Sequence, residues 1–171
     1  MRTFYTVLTG QLLSALATAT STCALNWWIY QSSGSVSRYA LAFFFTALPG
    51  LLLAPLAGVL ADRYPRRNVL LASTLLSASV AAAMLSLLEA GRLSPIWIYG
   101  GMCVQSCCLA LHLPAFQALA RQLTPPGRLG RSAGLLQLAE GCSQTLAPGA
   151  AGLLTPAFGL RAPLLLALGA G

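Results

Sequence analysis

Long stretches without charge, separated by short segments that contain arginine, set the pattern along this chain. Five such stretches each exceed the roughly 20 residues that an α-helix needs to cross the hydrocarbon core of a bilayer. They cover residues 3–37, 39–61, 68–88, 93–120 and 132–160, and only the last contains a charge, Glu140. A sixth apolar run begins at Ala162 and stops at Gly171. The spacing therefore predicts five complete membrane-crossing segments and part of a sixth.

Helices are the predicted form of these segments, because a chain in hydrocarbon must satisfy its backbone hydrogen bonds internally. The expected fold class is all-α, a polytopic membrane helical bundle. The predicted helices cover residues 4–31, 39–61, 68–89, 94–120, 131–155 and, cut short, 162–171. Turn residues predict reversals at Gln31–Ser35 and Thr124–Gly127. Since no connection is long enough for a soluble domain, function is expected to lie within the bundle.

The amino-acid composition indicates that lipid, and not water, surrounds most of this chain. Hydrophobic residues make up 57% of the chain and charged residues 8%, whereas soluble domains carry roughly 25% charged residues. The net charge of +7 comes from ten arginines and three acids, and the arginines lie at the ends of the apolar runs. Because the sequence has no basic face with interleaved aromatic residues, nucleic-acid binding is not expected.

The arginines also predict an orientation. With the N-terminus in the cytoplasm, seven arginines lie inside and three outside, the bias of the positive-inside rule. The inside set is Arg2, Arg63, Arg66, Arg67, Arg121, Arg128 and Arg131, and the outside set is Arg38, Arg92 and Arg161. The N-terminus is therefore expected in the cytoplasm.

Polar residues recur at steps of three and four on the first, fourth and fifth predicted helices, which puts most of them on one face of each helix. Two interpretations are open: hydrogen bonds that hold buried helices together, at about 1 kcal/mol each, or a polar cavity shared by the three helices. Amide and hydroxyl groups suit a solute of mixed polarity better than a single ion. The candidate lining residues are Gln11, Thr18, Asn26, Gln105, His112, Gln137 and Gln144.

Glu140 is the single residue that most strongly suggests a function, because a carboxylate inside a membrane span is costly unless it is protonated, paired or facing water. One interpretation makes it a candidate proton-coupling residue. The other pairs it with an arginine such as Arg121.

No catalytic, metal or cofactor site is expected. The five cysteines all lie in apolar runs without metal-ligand spacing, and His112 is the single histidine. The sequence contains neither a GxSG nor an HExxH motif, so an intramembrane enzyme is disfavoured.

The segment from Gly58 to Arg67 resembles motif A of the major facilitator superfamily, which reads Gly, three residues, Asp, a basic residue, any residue, Gly and two basic residues. Only Pro65 departs from this pattern, since it stands at the position where the motif usually has Gly. The resemblance implies a conformational latch between two halves. Gly58 would allow close helix approach, Asp62 would meet a helix N-terminus, and three arginines would anchor the loop at the cytoplasmic face. These arginines are Arg63, Arg66 and Arg67.

A second segment, residues 147–152, resembles the Gly-Pro-x-x-Gly-Gly core of motif C, which the family associates with efflux. Ala147 and Ala151 replace two glycines, while Pro148 and Gly152 match. Small residues here imply tight helix packing. The stretch 26–67 further resembles the enterobactin-exporter and macrolide-efflux branch, although the fourth helix lacks the intramembrane arginine of motif B.

The resemblance implies that residues 1–171 are an incomplete N-terminal transmembrane domain of a twelve-helix transporter of the bacterial plasma (inner) membrane. It implies proton-driven efflux of a drug-like or siderophore-like small molecule by alternating access. The expected partners are the lipid bilayer, a small-molecule substrate and the missing C-terminal half, without which the chain is expected to be inactive. The alternative is a small membrane interaction or assembly protein that dimerises through Ala54-x-x-x-Gly58.

Overall fold

The computed structural model describes residues 2–123 and 129–169, and within these ranges the chain forms six helices and no strand. The helices are α1 (Arg2–Ser33), α2 (Val36–Arg63), α3 (Arg66–Glu89), α4 (Pro95–Leu123), α5 (Leu129–Phe158) and α6 (Arg161–Gly169). The all-α fold class expected from the sequence is confirmed. The turn predicted at Thr124–Gly127 lies outside the described residues.

The turn predicted at Gln31–Ser35 is shorter than expected, because α1 continues to Ser33. The hydroxyls of Ser32 and Ser33 donate to the carbonyl oxygen of Ile29 at 3.2 and 2.6 Å, so both serines extend the helix instead of breaking it. Gly34 then stops it with a φ of 59°, a left-handed conformation that glycine adopts without strain. Gly91 and Gly159, with φ of 65° and 68°, follow α3 and α5 in the same way.

The connection between α2 and α3 consists of Tyr64 and Pro65 alone. The Tyr64 N–H donates to the carbonyl oxygen of Leu60 at 3.1 Å and ends α2. Pro65 has a φ of −56°, close to the value that its ring imposes, and its carbonyl oxygen accepts the N–H of Asn68 at 2.8 Å. The corner therefore needs no glycine at position 65.

Helix neighbours in space differ from neighbours along the chain. Helix α4 packs between α2 and α3, which scarcely touch each other. Helix α6 packs against α1 and α3, α1 also contacts α2, and α5 lies against α1. Contacts thus run from α1 through α2, α4, α3 and α6 back to α1, which leaves an interior bounded by several helices.

The apolar core lies at the end of the bundle where α1, α3 and α5 turn back. Its members come from the last turns of these helices, from the first turns of α2, α4 and α6, and from the connection between α5 and α6. They are Ala24, Leu25, Ile29, Ala42, Met84, Ile98, Met102, Ala151, Leu160 and Leu164. This cluster closes the interior at the end that the arginine bias predicts to be outside.

Large apolar side chains cover the outward faces, the reverse of a soluble bundle. Leu51, Leu75 and Leu153 are 71%, 69% and 78% exposed, which is favourable only against lipid. Among the described residues, length and composition mark three helices as able to cross a membrane, over Val36–Leu60, Arg66–Glu89 and Pro95–Leu119. Helices α1 and α5, with 32 and 30 residues, are also long enough, but their polar positions lower their mean hydropathy.

Helices α2 and α4 approach each other closely at Gly50. Pro49 precedes it inside α2, and a proline disturbs the helical hydrogen bonds around it. The Gly50 N–H donates to the Ser106 hydroxyl of α4 at 2.9 Å, a hydrogen bond that joins the two helices. A Cβ added at Gly50 would lie 2.7 Å from Ser106 Oγ and 3.2 Å from its carbonyl oxygen.

The substitution Gly50→Ala should destabilise the protein by about 1–3 kcal/mol, because the added methyl overpacks the crossing. The measurement is thermal unfolding of the purified protein in detergent. Gly100→Ala is the matched control, since a Cβ added there meets nothing within 4 Å. Equal unfolding midpoints for the two variants would contradict the close crossing.

Candidate functional site

A cavity of about 250 Å³, lined by both polar and apolar side chains, lies inside the bundle, and all six helices contribute to its wall. Helix α1 contributes the longest row, because its polar positions follow the helical repeat. This row is Gln11, Ser14, Thr18, Thr22 and Asn26. At 1.5 Å per residue it extends over roughly 22 Å of helix, so the cavity runs along much of the membrane-crossing part of α1.

His112 joins three helices at one end of this row. Its Nε2 lies 3.1 Å from Gln11 Oε1 on α1, and its Nδ1 lies 3.3 Å from Ser73 Oγ on α3. The Phe116 ring stacks on the imidazole with the centroids 6.0 Å apart and the planes 10° apart. The ring is therefore held on two edges and one face.

Two amides further along the cavity each leave one acceptor without a partner. Gln105 Nε2 donates to Ser77 Oγ at 2.8 Å, and Asn26 Nδ2 donates to the carbonyl oxygen of Thr22 at 3.0 Å. Gln105 Oε1 and Asn26 Oδ1 are buried without a hydrogen bond. Because the Thr22 carbonyl can only accept, Asn26 must present its NH₂ there, which fixes its oxygen as the free group.

Glu140 lies in the cavity wall on α5. Gln144, one turn further along α5, donates from Nε2 to Glu140 Oε1 at 3.3 Å and also lines the cavity. The side chain of Arg121, the ion-pair partner considered from the sequence, lies outside the described residues.

Gln137 does not join the other predicted lining residues. It is exposed and absent from the cavity wall, so its expected position is corrected. Gln137 lies two turns before Gln144 and only about 20° from it around the helix, so rotation about the helix axis does not account for the difference. The other six, namely Gln11, Thr18, Asn26, Gln105, His112 and Gln144, all line the cavity.

Sequence reasoning missed the contribution of α3. Ser73, Thr74 and Ser77 line the cavity, and two of them bond to His112 and Gln105. Their spacing of three and four within an uncharged run was the available signal. Serines are common in membrane helices and often bond to their own backbone, as Ser79 does to Leu76, so that signal was weak.

The motif A residues lie at the α2–α3 corner, outside the cavity wall. Arg63 and Arg67 are exposed and Arg66 is half-buried, while the Asp62 side chain lies outside the described residues. The close helix approach expected at Gly58 is absent within the described part of the chain, because a Cβ added there would meet nothing within 4 Å.

The motif C-like residues divide between the two sides of α5. Ala147 and Ala151 are 0% and 5% exposed, and Ala151 belongs to the apolar core. Pro148 and Gly152 are exposed, and a Cβ added at Gly152 would meet nothing within 4 Å. Only the two alanines therefore pack inside this bundle.

The described residues contain no group of three or more His, Cys, Asp or Glu side chains that could hold a metal ion. The chemistry that the cavity offers is therefore hydrogen bonding by hydroxyls, amides and one imidazole, with the Glu140 carboxyl as its ionisable acid.

Comparison with known proteins finds several relatives. A family model described as the Major Facilitator Superfamily matches residues 7–171. Macrolide efflux protein A of Streptococcus pyogenes is 28% identical over 160 residues, covering 93% of this chain and 39% of that protein. An uncharacterized MFS-type transporter of Bacillus subtilis is 27% identical over 167 residues, covering 96% of this chain and 39% of that protein.

The class C tetracycline resistance protein of Escherichia coli is 34% identical over 140 residues, covering 81% of this chain and 33% of that protein. The chain thus spans less than two fifths of the length of these relatives. No solved structure matches it.

These matches confirm the resemblance seen in the sequence, including its efflux branch, since the relatives include efflux and drug-resistance proteins. The six helices and their lipid-facing apolar surfaces agree with a multi-pass membrane protein. The chain belongs to the major facilitator superfamily of membrane transporters.

Proposed function

We propose that this chain forms the N-terminal half of a transporter that exports a drug-like or siderophore-like small molecule by proton-driven alternating access. The observation that carries the proposal is the cavity of mixed polarity within the bundle. A transporter of this kind binds its substrate near the bilayer midplane, between two halves that rock against each other. The printed names of the macrolide and tetracycline relatives support export of a drug-like molecule.

A second half is proposed to complete the binding site. The cavity of about 250 Å³ is smaller than the roughly 300–1,000 Å³ of pockets that enclose drug-sized ligands. One half therefore supplies part of the required space. The chain also spans 39% of the first relatives, which leaves room in those proteins for a second bundle of similar size.

The alternative is that the chain is a small membrane interaction or assembly protein. The helix surface around Ala54 and Gly58 could serve as its contact with a second copy. Ala54 is exposed, and Gly58 has open space around it within the described residues, so a second copy could approach there. Membership in a transporter family and the interior polar cavity favour transport.

The proposed location is the bacterial inner membrane with the N-terminus in the cytoplasm. Arg63, Arg66 and Arg67 lie at the α2–α3 corner, while Arg38 and Arg92 lie by the turns at the opposite end. The Tyr99 hydroxyl donates to the Arg38 carbonyl oxygen at 3.3 Å, which joins the beginnings of α2 and α4 at that end. The richer cluster of positive charge therefore marks the cytoplasmic side.

Reporter fusions test this orientation. Alkaline phosphatase, active only outside the cytoplasm, should be active when fused after Arg92 and inactive when fused after Arg67. Green fluorescent protein should give the reverse pattern. The opposite pattern with both reporters would contradict a cytoplasmic N-terminus.

Glu140 is the proposed proton-coupling residue. It is the carboxylate in the cavity wall, whereas Glu89 is exposed at the end of α3. A carboxyl that faces an interior cavity can exchange a proton with water when the cavity opens. The amide of Gln144 supplies a donor to the ionised form.

The substitution Glu140→Gln, made in the complete transporter, should abolish gradient-driven transport of a radiolabelled macrolide in everted vesicles while substrate binding persists. The reason is that glutamine keeps the size and hydrogen bonding of the side chain but cannot carry a proton. Glu89→Gln is the matched control and should transport normally. Normal gradient-driven transport by Glu140→Gln would remove this residue from coupling, and wild-type export that survives loss of the proton gradient would contradict proton drive.

A further inference from the structure

Asn26 presents a hydrogen-bond acceptor that no described residue satisfies. The residue lies on α1 in the cavity wall and is 9% exposed. Its Nδ2 donates to the Thr22 carbonyl oxygen at 3.0 Å, and because that carbonyl can only accept, the amide is held with Oδ1 free. Burial also closes Oδ1 to water. The oxygen therefore has neither a protein partner nor solvent in its place, which is unfavourable.

Gln105 on α4 presents a second amide with one end free. Its Nε2 lies 2.8 Å from Ser77 Oγ, and its Oε1 is buried without a partner. Because a serine hydroxyl can either donate or accept, either end of the amide can face Ser77, and the other end is then left unsatisfied. Gln105 is thus an adaptable group, whereas Asn26 is a fixed acceptor.

The two amides lie in one part of the wall, near the apolar core. Gln105 lines a small side cavity of about 30 Å³ together with Thr22 and Leu25, and Asn26 follows one turn after Thr22 on α1. From the helical rise, Asn26 lies about 11 Å before the end of α1, and Gln105 lies about 15 Å after the beginning of α4. Both of these helix ends belong to the end of the bundle that the apolar core closes, so the two residues have similar depths.

The charges in the wall disfavour an anion at this place. The described part of the wall contains the Glu140 carboxyl and no arginine. The two ring nitrogens of His112 have Gln11 and Ser73 as partners, and a neutral imidazole satisfies both contacts, so this ring brings no required positive charge. An anionic group would therefore meet free acceptors and a like charge, whereas a donor meets an acceptor that needs it.

We propose that Asn26 Oδ1, with the adaptable Gln105 amide beside it, recognises a hydrogen-bond donor on the exported solute, an alcohol or a protonated amine. This inference rests on the proposed export and narrows its substrate to solutes that carry such a donor, as against anionic ones. The side chains that cover Oδ1 move aside as the donor enters. Since the donor displaces no water from Oδ1, the hydrogen bond adds to binding and discriminates against an analogue without the donor.

A series of fluorescent probes with one dansyl body and different end groups tests this subsite in the proposed two-half transporter, purified in detergent. Dansylcadaverine ends in an ammonium, and its trimethylammonium analogue keeps the charge without a donor. A hydroxyl analogue and its methyl ether form the neutral pair, and a succinylated analogue ends in a carboxylate. In fluorescence titrations the donor member of a pair should bind about tenfold more tightly, the size expected for one hydrogen bond to a charged group. The pair with the larger difference identifies an amine or an alcohol.

Variants of the two amides locate this preference in the structure. Asn26→Leu removes the acceptor at a similar side-chain size, so the ammonium probe should bind about tenfold more weakly while the trimethylammonium probe binds as before. Gln105→Met should reduce the same preference. Thr20→Val is the matched control, since Thr20 is buried on α1, donates to the Leu16 carbonyl oxygen and lies outside the walls of both cavities.

The proposal is overturned if neither wild-type pair shows a preference for the donor, if the carboxylate probe binds most tightly, or if folded Asn26→Leu keeps the wild-type preference. Should Asn26→Leu fail to fold, Gln105→Met decides by the same comparison. Because binding is measured without a gradient, these results leave proton-driven export standing. Export that survives loss of the proton gradient contradicts the proposed function instead and leaves the probe preference unchanged.

Discussion

The absence of water from the hydrocarbon core is the constraint on which the rest of this structure depends. Every backbone N–H and C=O in the spans must find its partner within the protein, which makes helices the available form. The same constraint decides where polar side chains point. The hydroxyls of Thr20, Thr22 and Thr46 bond to carbonyl oxygens of their own helices, while Gln11 and Gln105 reach other helices. Several of these polar groups therefore meet inside, and the bundle surrounds a cavity lined by polar and apolar side chains.

Side-chain hydrogen bonds between helices connect the cavity wall to the packing of the bundle. Ser106 on α4 accepts the Gly50 N–H of α2 and also lines the cavity. Ser143 is buried on α5, where its hydroxyl lies 3.4 Å from the Leu12 carbonyl oxygen of α1. His112 joins α4 to α1 and α3. A change in what the cavity holds can therefore reach helix contacts directly, as the proposed alternating access requires.

Much of this arrangement could be predicted from the sequence, because charge and hydropathy act locally along the chain. The helical segments and the inward rows of α1 and α4 follow from the period of 3.6 residues. The role of α3 could not be predicted with the same ease, since Ser73 and Ser77 become important only through partners on α4. The exclusion of Gln137 could not be predicted from the period either, because Gln137 shares its face of α5 with Gln144, which does line the cavity. Gly58 resembles a packing glycine in sequence, yet no described neighbour approaches it.

Substrate protection of a single cysteine tests most directly whether the cavity of this chain is the transport site. In the proposed two-half transporter, with the native cysteines replaced by alanine, Thr18→Cys would place a thiol in the cavity wall, and Leu13→Cys would place one on the outward face of the same helix, where Leu13 is 61% exposed. A small water-soluble maleimide should label Thr18→Cys and leave Leu13→Cys in lipid unlabelled, and an added macrolide should slow the labelling of Thr18→Cys. Labelling of Thr18→Cys that a transported macrolide does not slow would contradict the account.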